Sequence, residues 1–142
     1  MQGGRVDAKD ARHRNTPLHF ATDYNLLEVA KILIAKGAIV SSQGFHGETP
    51  LHRAALNNSQ NVSALLIGQG SIVDARDRIG ATPLHYTSEL ASLEVAKLLL
   101  EKGADINSRD DQRQTALHRA VYPVGKSEIS ISRLKAFIEL NF

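Results

Sequence analysis

Four histidines stand at a constant interval in this 142-residue sequence, each closing a Thr-Pro-Leu-His or Thr-Ala-Leu-His motif. They are His19, His52, His85 and His118, and neighbours in the set lie 33 residues apart. Imidazole binds metal ions and transfers protons, so a repeated histidine first suggests a metal site or acid–base chemistry. Equivalent residues of stacked units are, however, about 8–10 Å apart, too far for one shared ion. We therefore expect each imidazole to bond backbone and threonine groups of adjacent turns and to join unit to unit.

The remaining residue types give little support to catalysis. His13 and His46 also lie 33 residues apart, each three residues before a motif threonine, and we interpret both as surface contacts. The sequence has no cysteine, which excludes disulfides, thiolate catalysis and zinc–thiolate sites. No serine has a histidine and carboxylate partner that the repeat would bring together. We expect a protein without enzyme activity, metal or cofactor.

One segment resembles a nucleotide-binding motif. Residues 120–127, AVYPVGKS, fit a relaxed P-loop pattern in which Ala120 replaces the first glycine. A P-loop follows a buried strand and opens a helix, whereas the preceding TALHRAV predicts a helix. We interpret the segment as a loop between helices with Ser127 as an N-cap, and nucleotide binding at 120–127 stays as the alternative function.

Each 33-residue unit predicts two short helices followed by an extended finger. Threonine followed by proline starts the first helix, as in TPLHFATDY. Asn25 and Asn58 stand where the chain must turn, and both tolerate a left-handed conformation. The second helix, such as SLEVAKLLLEK, has one apolar face and ends at a glycine. The polar stretch SIVDARDRIGA is typical of a β-turn or hairpin finger that leads into the next unit.

These features resemble the ankyrin-repeat family over essentially the whole chain. The specific elements are the 33-residue period, T-P-L-H-x-A, L-E-V-A-K-x-L-L and GADIN at 103–107. The resemblance implies an all-α repeat solenoid, in which helix-turn-helix units stack and β-turn or hairpin fingers project from them. It also agrees with a structural role for the residues that recur in every unit. These are Thr16, His19, Thr49, His52, Thr82, His85, Thr115, His118, Gly37, Gly70 and Gly103.

The repeat divides one domain of residues 1–142 into five parts. The expected parts are the tail of a partial preceding repeat at 1–10, three repeats at 11–43, 44–76 and 77–109, and a divergent C-terminal repeat at 110–142. Arg14 and Arg113 replace the finger glycine that stands at Gly47 and Gly80. The last predicted helix, SEISISRLKAFIEL, is more polar than its equivalents, as a terminal repeat requires.

Positions that the repeat leaves free for function are rich in aromatic residues and arginine, both common at protein interfaces. The resemblance implies a concave surface made by the fingers and first helices, and we expect a partner to bind there. Phe20 and Tyr86 have the alternative of filling gaps between helices. The predicted partner-binding residues are Arg12, His13, Phe20, Tyr24, Phe45, His46, Arg53, Arg78, Ile79, Tyr86, Glu89, Gln112, Arg119 and Tyr122.

Charge favours a protein as the partner. The 17 basic and 15 acidic residues nearly balance, and both signs occur on the fingers. Nucleic acid would require a larger surplus of positive charge, so we expect a protein ligand that carries some acidic groups. No apolar run approaches the roughly 20 residues of a membrane span. We expect a monomer inside the cell, in the cytoplasm or the nucleus.

Overall fold

The computed structural model describes residues 5–121 and 136–140, and in these ranges the regular elements are helices. Seven helices are described, together with a short helical segment at residues 136–138. Those seven are α1 (Pro17–Asp23), α2 (Leu27–Ala35), α3 (Pro50–Leu56), α4 (Gln60–Gly68), α5 (Pro83–Thr87), α6 (Leu93–Glu101) and α7 (Ala116–Val121). The first helices α1, α3, α5 and α7 contact one another in sequence order, and the second helices α2, α4 and α6 do the same. The all-α repeat solenoid is therefore confirmed.

Each first helix begins at the motif threonine because threonine and histidine cap each other. The N–H of His52 donates to Thr49 Oγ at 3.4 Å, and the N–H of Thr49 donates to His52 Nδ1 at 3.0 Å. Two N–H groups at the start of the helix thereby gain acceptors. Pro50 occupies the first helical position, where the helix has no use for an N–H.

The second helices end as the glycines predict. Gly37 has φ +95°, a conformation that side chains disfavour, and its N–H donates to Ile34 O at 2.9 Å. The N–H of Ala38 donates to Leu33 O at 3.0 Å, which completes a Schellman motif. Gly70 and Gly103 stand at the same place in α4 and α6.

Helix α5, the first helix of the third unit, is shorter than the two turns that its sequence predicts. Helix α5 has five residues, whereas α1 and α3 have seven. Thr87 Oγ donates to Leu84 O and Ser88 Oγ donates to His85 O, both at 2.6 Å. Thr22 makes the bond equivalent to that of Ser88 in the longer α1, so the bond specific to α5 is that of Thr87. A hydroxyl that competes for a helix carbonyl favours an early helix end.

The turns within each helix pair are left-handed, as predicted. Asn25 and Asn58 have φ of +51° and +52°, and Ala91 adopts +49° without the help of a polar side chain. The asparagines also act between units. Asn25 Oδ1 accepts from Val62 N at 3.3 Å, and Asn58 Oδ1 accepts from Val95 N at 3.2 Å. Each asparagine therefore caps the second helix of the following unit.

The core lies between the two layers of helices and continues from unit to unit. Leu18, Leu51 and Leu84 are fully buried at equivalent positions, and Phe137 of the C-terminal residues joins them. Val6 packs against this core from the start of the chain. The division into repeats stays a prediction, but these contacts connect both ends of the described chain to one core.

The fingers are turns rather than hairpins, since the described residues include no strand. In the third finger, Asp77 N donates to Ala81 O at 2.9 Å, and Asp77 Oδ1 accepts from Ala81 N at 2.8 Å. The second finger has Gly44 at the position of Asp77. There the Glu48 carboxylate takes over the role and accepts from His46 N at 2.9 Å. A Cβ on Gly44 would lie 2.4 Å from Glu48 Oε1, so glycine leaves room for this exchange.

Candidate functional site

Three of the motif histidines join one unit to the next. Their Nε2 atoms lie 2.8–3.1 Å from a backbone carbonyl at the base of the following finger. The acceptors are Glu48 O for His19, Ala81 O for His52 and Gln114 O for His85. Because all three imidazoles point to different carbonyls, they form a series of links along the stack and do not converge on a shared ligand.

The geometry also determines which ring nitrogen carries the proton. A backbone N–H can only donate, so Nδ1 of His52 must accept from Thr49, and the proton of the neutral ring lies on Nε2. That proton is the one donated to Ala81 O. Burial lowers the pKa of His19, His52 and His85, which favours the neutral ring that this pattern requires.

The fourth motif histidine differs from the expectation that every copy joins two units. His118 Nδ1 accepts from Thr115 N at 3.1 Å, as in the other motifs, but the side chain is exposed. In the described part of the chain, its Nε2 has no carbonyl acceptor from a further finger. Among the described residues, His118 therefore caps only its own helix.

Arg53, a predicted contact residue, is engaged inside the stack. Its guanidinium donates to both carboxylate oxygens of Asp23 in the preceding unit, at 2.9 and 2.7 Å. Asn57 Nδ2 donates to the same carboxylate at 3.0 Å. The Asp23 bonds raise the pKa of Arg53. A partner that used Arg53 would have to share or break this bidentate pair.

Tyr86 and Arg119 occupy the equivalent position in the next two units and are also engaged. Tyr86 Oη donates to Asp77 Oδ2 at 2.6 Å, and its ring stacks edge-on against His52, with centroids 4.8 Å apart. Burial, followed by the bond to Asp77, raises the pKa of Tyr86 strongly. Arg119 donates to Asp110 Oδ2 at 3.0 and 2.6 Å. Tyr86 thus makes contacts within the stack, and its role in partner binding stays a prediction.

The carboxylates in these pairs were not among the predicted site residues. In units three and four the pairs span nine residues, from Asp77 to Tyr86 and from Asp110 to Arg119. That recurring nine-residue spacing is the signal that the sequence offers. Burial by itself raises the pKa of Asp110, but bonds from Gln114 N and from Arg119 together hold it below its ordinary value.

Two predicted residues with large apolar side chains are exposed at the tips of the fingers. Phe45 is 49% exposed and Ile79 is 54% exposed, which is unusual for side chains of this size. We use "fingertip row" for the two tip residues of each of the first three fingers. The row consists of Arg12, His13, Phe45, His46, Arg78 and Ile79, all exposed. Gln112 is exposed on the fourth finger, and Glu89 is half-buried at the end of α5.

Backbone hydrogen bonds hold the fingertip row in line. Phe45 N donates to His13 O at 2.8 Å, and Arg78 N donates to His46 O at 2.9 Å. The Arg78 guanidinium carbon lies 5.3 Å from the centroid of the Phe45 ring, within cation–π range. Beside the row, a groove of about 290 Å³ opens between Glu48, Asp77 and the tips of the second and third fingers.

Phe20 and Tyr24 lie away from the fingertip row, at the start of the stack. They line an apolar groove of about 510 Å³ together with Leu26 and Val29. Val29 is 45% exposed, whereas its equivalents Val62 and Val95 are fully buried by a preceding unit. Phe20 is likewise more exposed than Arg53 and Tyr86 at the equivalent position. Tyr24 occupies a position that is exposed in later units too, since its equivalent Leu90 is 54% exposed.

Other predicted features lie partly or wholly outside the described residues. Tyr122 and the glycine, lysine and serine of the P-loop-like segment are outside them, while Ala120 and Val121 belong to helix α7. The described start of that segment is thus helical, unlike the strand that precedes a P-loop. In the described ranges no cluster of three or more His, Cys, Asp or Glu could hold a metal ion. No helix there has both the length and the apolarity needed to cross a bilayer.

Comparison with known families agrees with the repeat geometry. The family model described as ankyrin repeats (3 copies) matches the chain at residues 2–77, 39–110 and 62–131. Together these overlapping matches extend from residue 2 to residue 131. No curated protein sequence matches the chain.

Proposed function

The chain belongs to the ankyrin-repeat family, and we propose that it is a non-catalytic scaffold that binds a protein partner through its fingers and first helices. Ankyrin repeats generally mediate protein–protein interactions, so the class of function follows from the family. The particular surface and the absence of catalysis are our proposal.

The exposed aromatic and basic fingertips are the observation that carries this proposal. Phe45 and Arg78 are exposed on adjacent fingers, and both are of residue types that are enriched at protein interfaces. Their cation–π contact and the backbone bond from Arg78 to His46 order them before any partner arrives. Pre-ordered side chains lose less conformational entropy on binding.

The surrounding polar groups support recognition rather than catalysis. Asp77 accepts from Tyr86, and Arg53 and Arg119 are bound to carboxylates, so these groups stabilise the stack. His19, His52 and His85 are buried in links between units. We propose further that the protein acts as a monomer inside the cell.

The experiment compares two faces of the stack against one captured partner. Phe45→Ala with Arg78→Ala alters the finger face, and Lys31→Ala with Lys97→Ala alters exposed second-helix positions on the other face. A partner is first captured from the source cell by affinity purification, identified by mass spectrometry and produced in pure form. Binding is then measured by calorimetry for each double variant.

We expect the finger variant to weaken binding by at least about 2 kcal/mol and the lysine variant to change it by less than about 0.5 kcal/mol. Thermal melts check that both variants remain folded. If the lysine variant loses the partner and the finger variant still binds it, the second helices form the binding face.

A further inference from the structure

The fingertip row carries two arginines that form no salt bridge in the described residues, Arg12 and Arg78. The arginines on the first helices, Arg53 and Arg119, are paired with carboxylates at 2.7 and 2.6 Å. Arg12 and Arg78 are exposed at the tips. A ligand anion can therefore pair with Arg12 and Arg78 without breaking an internal salt bridge.

The acidic groups beside the row are turned towards the backbone. Asp10, Glu48 and Asp77 each accept an N–H of their own finger, at 2.6, 2.9 and 2.8 Å. The bond from Asn15 N is the main reason that the pKa of Asp10 is lowered. These carboxylates brace the fingers through backbone bonds, and Asp10 also lies 3.8 Å from His13 Nδ1, while Arg12 and Arg78 are exposed. The outer edge of the row therefore complements negative charge at its first and third fingers.

The middle finger contributes an apolar contact between these two charges. Phe45 packs edge-on against His46, with ring centroids 5.2 Å apart, and also lies under Arg78. One side of its ring stays open to solvent. The fourth finger ends the pattern, because Asp111 stands where Arg78 stands in the third. The order along the stack is thus cation, aromatic ring, cation and then anion.

The distance between fingers sets the spacing that a ligand must have. The Cα atoms of the two tip residues of one finger are about 3.8 Å apart. Two backbones joined by a hydrogen bond, as neighbouring fingertips are, lie about 4.8 Å apart. Each unit therefore advances about 9 Å, in agreement with the packing distance of helices. An extended peptide rises about 3.3 Å per residue, so three of its residues match one unit.

We propose that the fingertip row binds an extended segment of a partner protein in which two acidic residues stand six apart, with an aromatic or large aliphatic residue midway. The acidic residues pair with Arg12 and Arg78, and the central side chain packs on Phe45. This inference rests on the proposed function, since it names the ligand of the same surface.

The test uses synthetic peptides with blocked ends and a fluorescent label, titrated against the full chain by fluorescence anisotropy. The probe is DSGFGSD, which has the proposed spacing. The controls are DDFSGSG, which has the same composition with adjacent acids, and KSGFGSK, which has the opposite charge. We expect DSGFGSD to bind at least fivefold more tightly than either control. Equal binding of DDFSGSG or KSGFGSK, or no binding of DSGFGSD at millimolar concentration, would overturn the proposal.

Variants locate the bound peptide. Arg12→Ala and Arg78→Ala should each weaken the binding of DSGFGSD by about fivefold or more. Arg113→Ala, an exposed arginine of the fourth finger, should change it by less than twofold. Tighter binding of an oligothymidylate than of DSGFGSD would reject the acidic segment in favour of a phosphate backbone. If no peptide binds while a captured partner still depends on Phe45 and Arg78, only the acidic segment is wrong and the protein-binding surface stands.

Discussion

The imidazole of His52 connects two units: its Nδ1 accepts from Thr49 at the start of its own helix, and its Nε2 lies 2.9 Å from Ala81 O in the next finger. The same pair of contacts recurs at His19 and His85. One side chain thus starts a helix and attaches the next unit. The motif recurs because each junction between units requires both contacts.

Removal of a linking histidine should destabilise the stack, and the exposed copy provides the control. His85→Ala leaves Gln114 O and Thr82 N without their partners, which should lower the free energy of unfolding by roughly 1–3 kcal/mol. His118→Ala loses only a cap at the end of the described stack and should cost less than His85→Ala. Urea denaturation measures both. Equal losses would mean that the bond to the next finger adds nothing.

Acidification should weaken the fold through the same histidines. Burial lowers the pKa of His19, His52 and His85 below the ordinary 6.5. Below about pH 6.5 these histidines are therefore protonated in the unfolded chain but stay neutral in the folded chain. Stability is therefore complete above pH 6.5 and declines as the pH falls towards the folded-state pKa values. Between pH 7.5 and 5.5 the loss should reach up to about 1.4 kcal/mol per histidine.

The pH dependence can be assigned by substitution. Urea denaturation at a series of pH values gives the number of protons taken up on unfolding, and His52→Gln should reduce that number by about one. An unfolding free energy that is the same at pH 7.5 and pH 5.5 in the original chain would contradict neutral, buried imidazoles.

Gly47 should resist substitution because the next finger packs closely against it. Gly47 has φ +78°, and a Cβ there would lie 2.9 Å from Arg78 N of the next finger. Gly47→Ala should therefore cost at least about 2 kcal/mol, from the left-handed conformation and the collision together. Arg113 adopts φ +61° with a full side chain on the fourth finger. Arg113→Ala should change the unfolding free energy by less than about 0.5 kcal/mol; a comparable loss in both variants would refute the packing argument.

Replacement of Ser63 by alanine should stabilise the protein. Ser63 is fully buried, and in the described residues its hydroxyl has no hydrogen-bond partner. The equivalent residues of the neighbouring units, Ala30 and Ala96, are fully buried alanines, so the site accepts a methyl group. Ser63→Ala should raise the free energy of unfolding by about 1 kcal/mol. A decrease, measured by denaturation, would reveal a partner for the hydroxyl.

ATP should not stabilise the chain through the segment 120–127. A specific ligand at 100 times its dissociation constant would stabilise the fold by about 2.7 kcal/mol. We expect no change in melting temperature when ATP and magnesium are added, either to the original chain or to Lys126→Ala. A shift of that size that the substitution abolishes would support the nucleotide hypothesis.

Much of the fold follows from the sequence because its determinants are local and recur. Thr49 and Pro50 start a helix, Gly37 ends one, and Asn25 turns the chain with contacts made within a few residues. The 33-residue period then places every copy in the same environment. That is why the helix order and the ankyrin solenoid could be predicted before any coordinates were known.

The state of each predicted contact residue required the tertiary structure, since it depends on which neighbour lies within reach. Arg53 and Arg119 occupy equivalent positions, yet Arg53 pairs with Asp23 of the preceding unit and Arg119 pairs with Asp110 of its own. Unit two has glycine where unit four has Asp110, so its arginine turns to the other side. The sequence determined the scaffold through local, repeated contacts. Only the packing of neighbouring units decided which charged side chains form ion pairs within the stack and which, like Arg78, remain exposed at its surface.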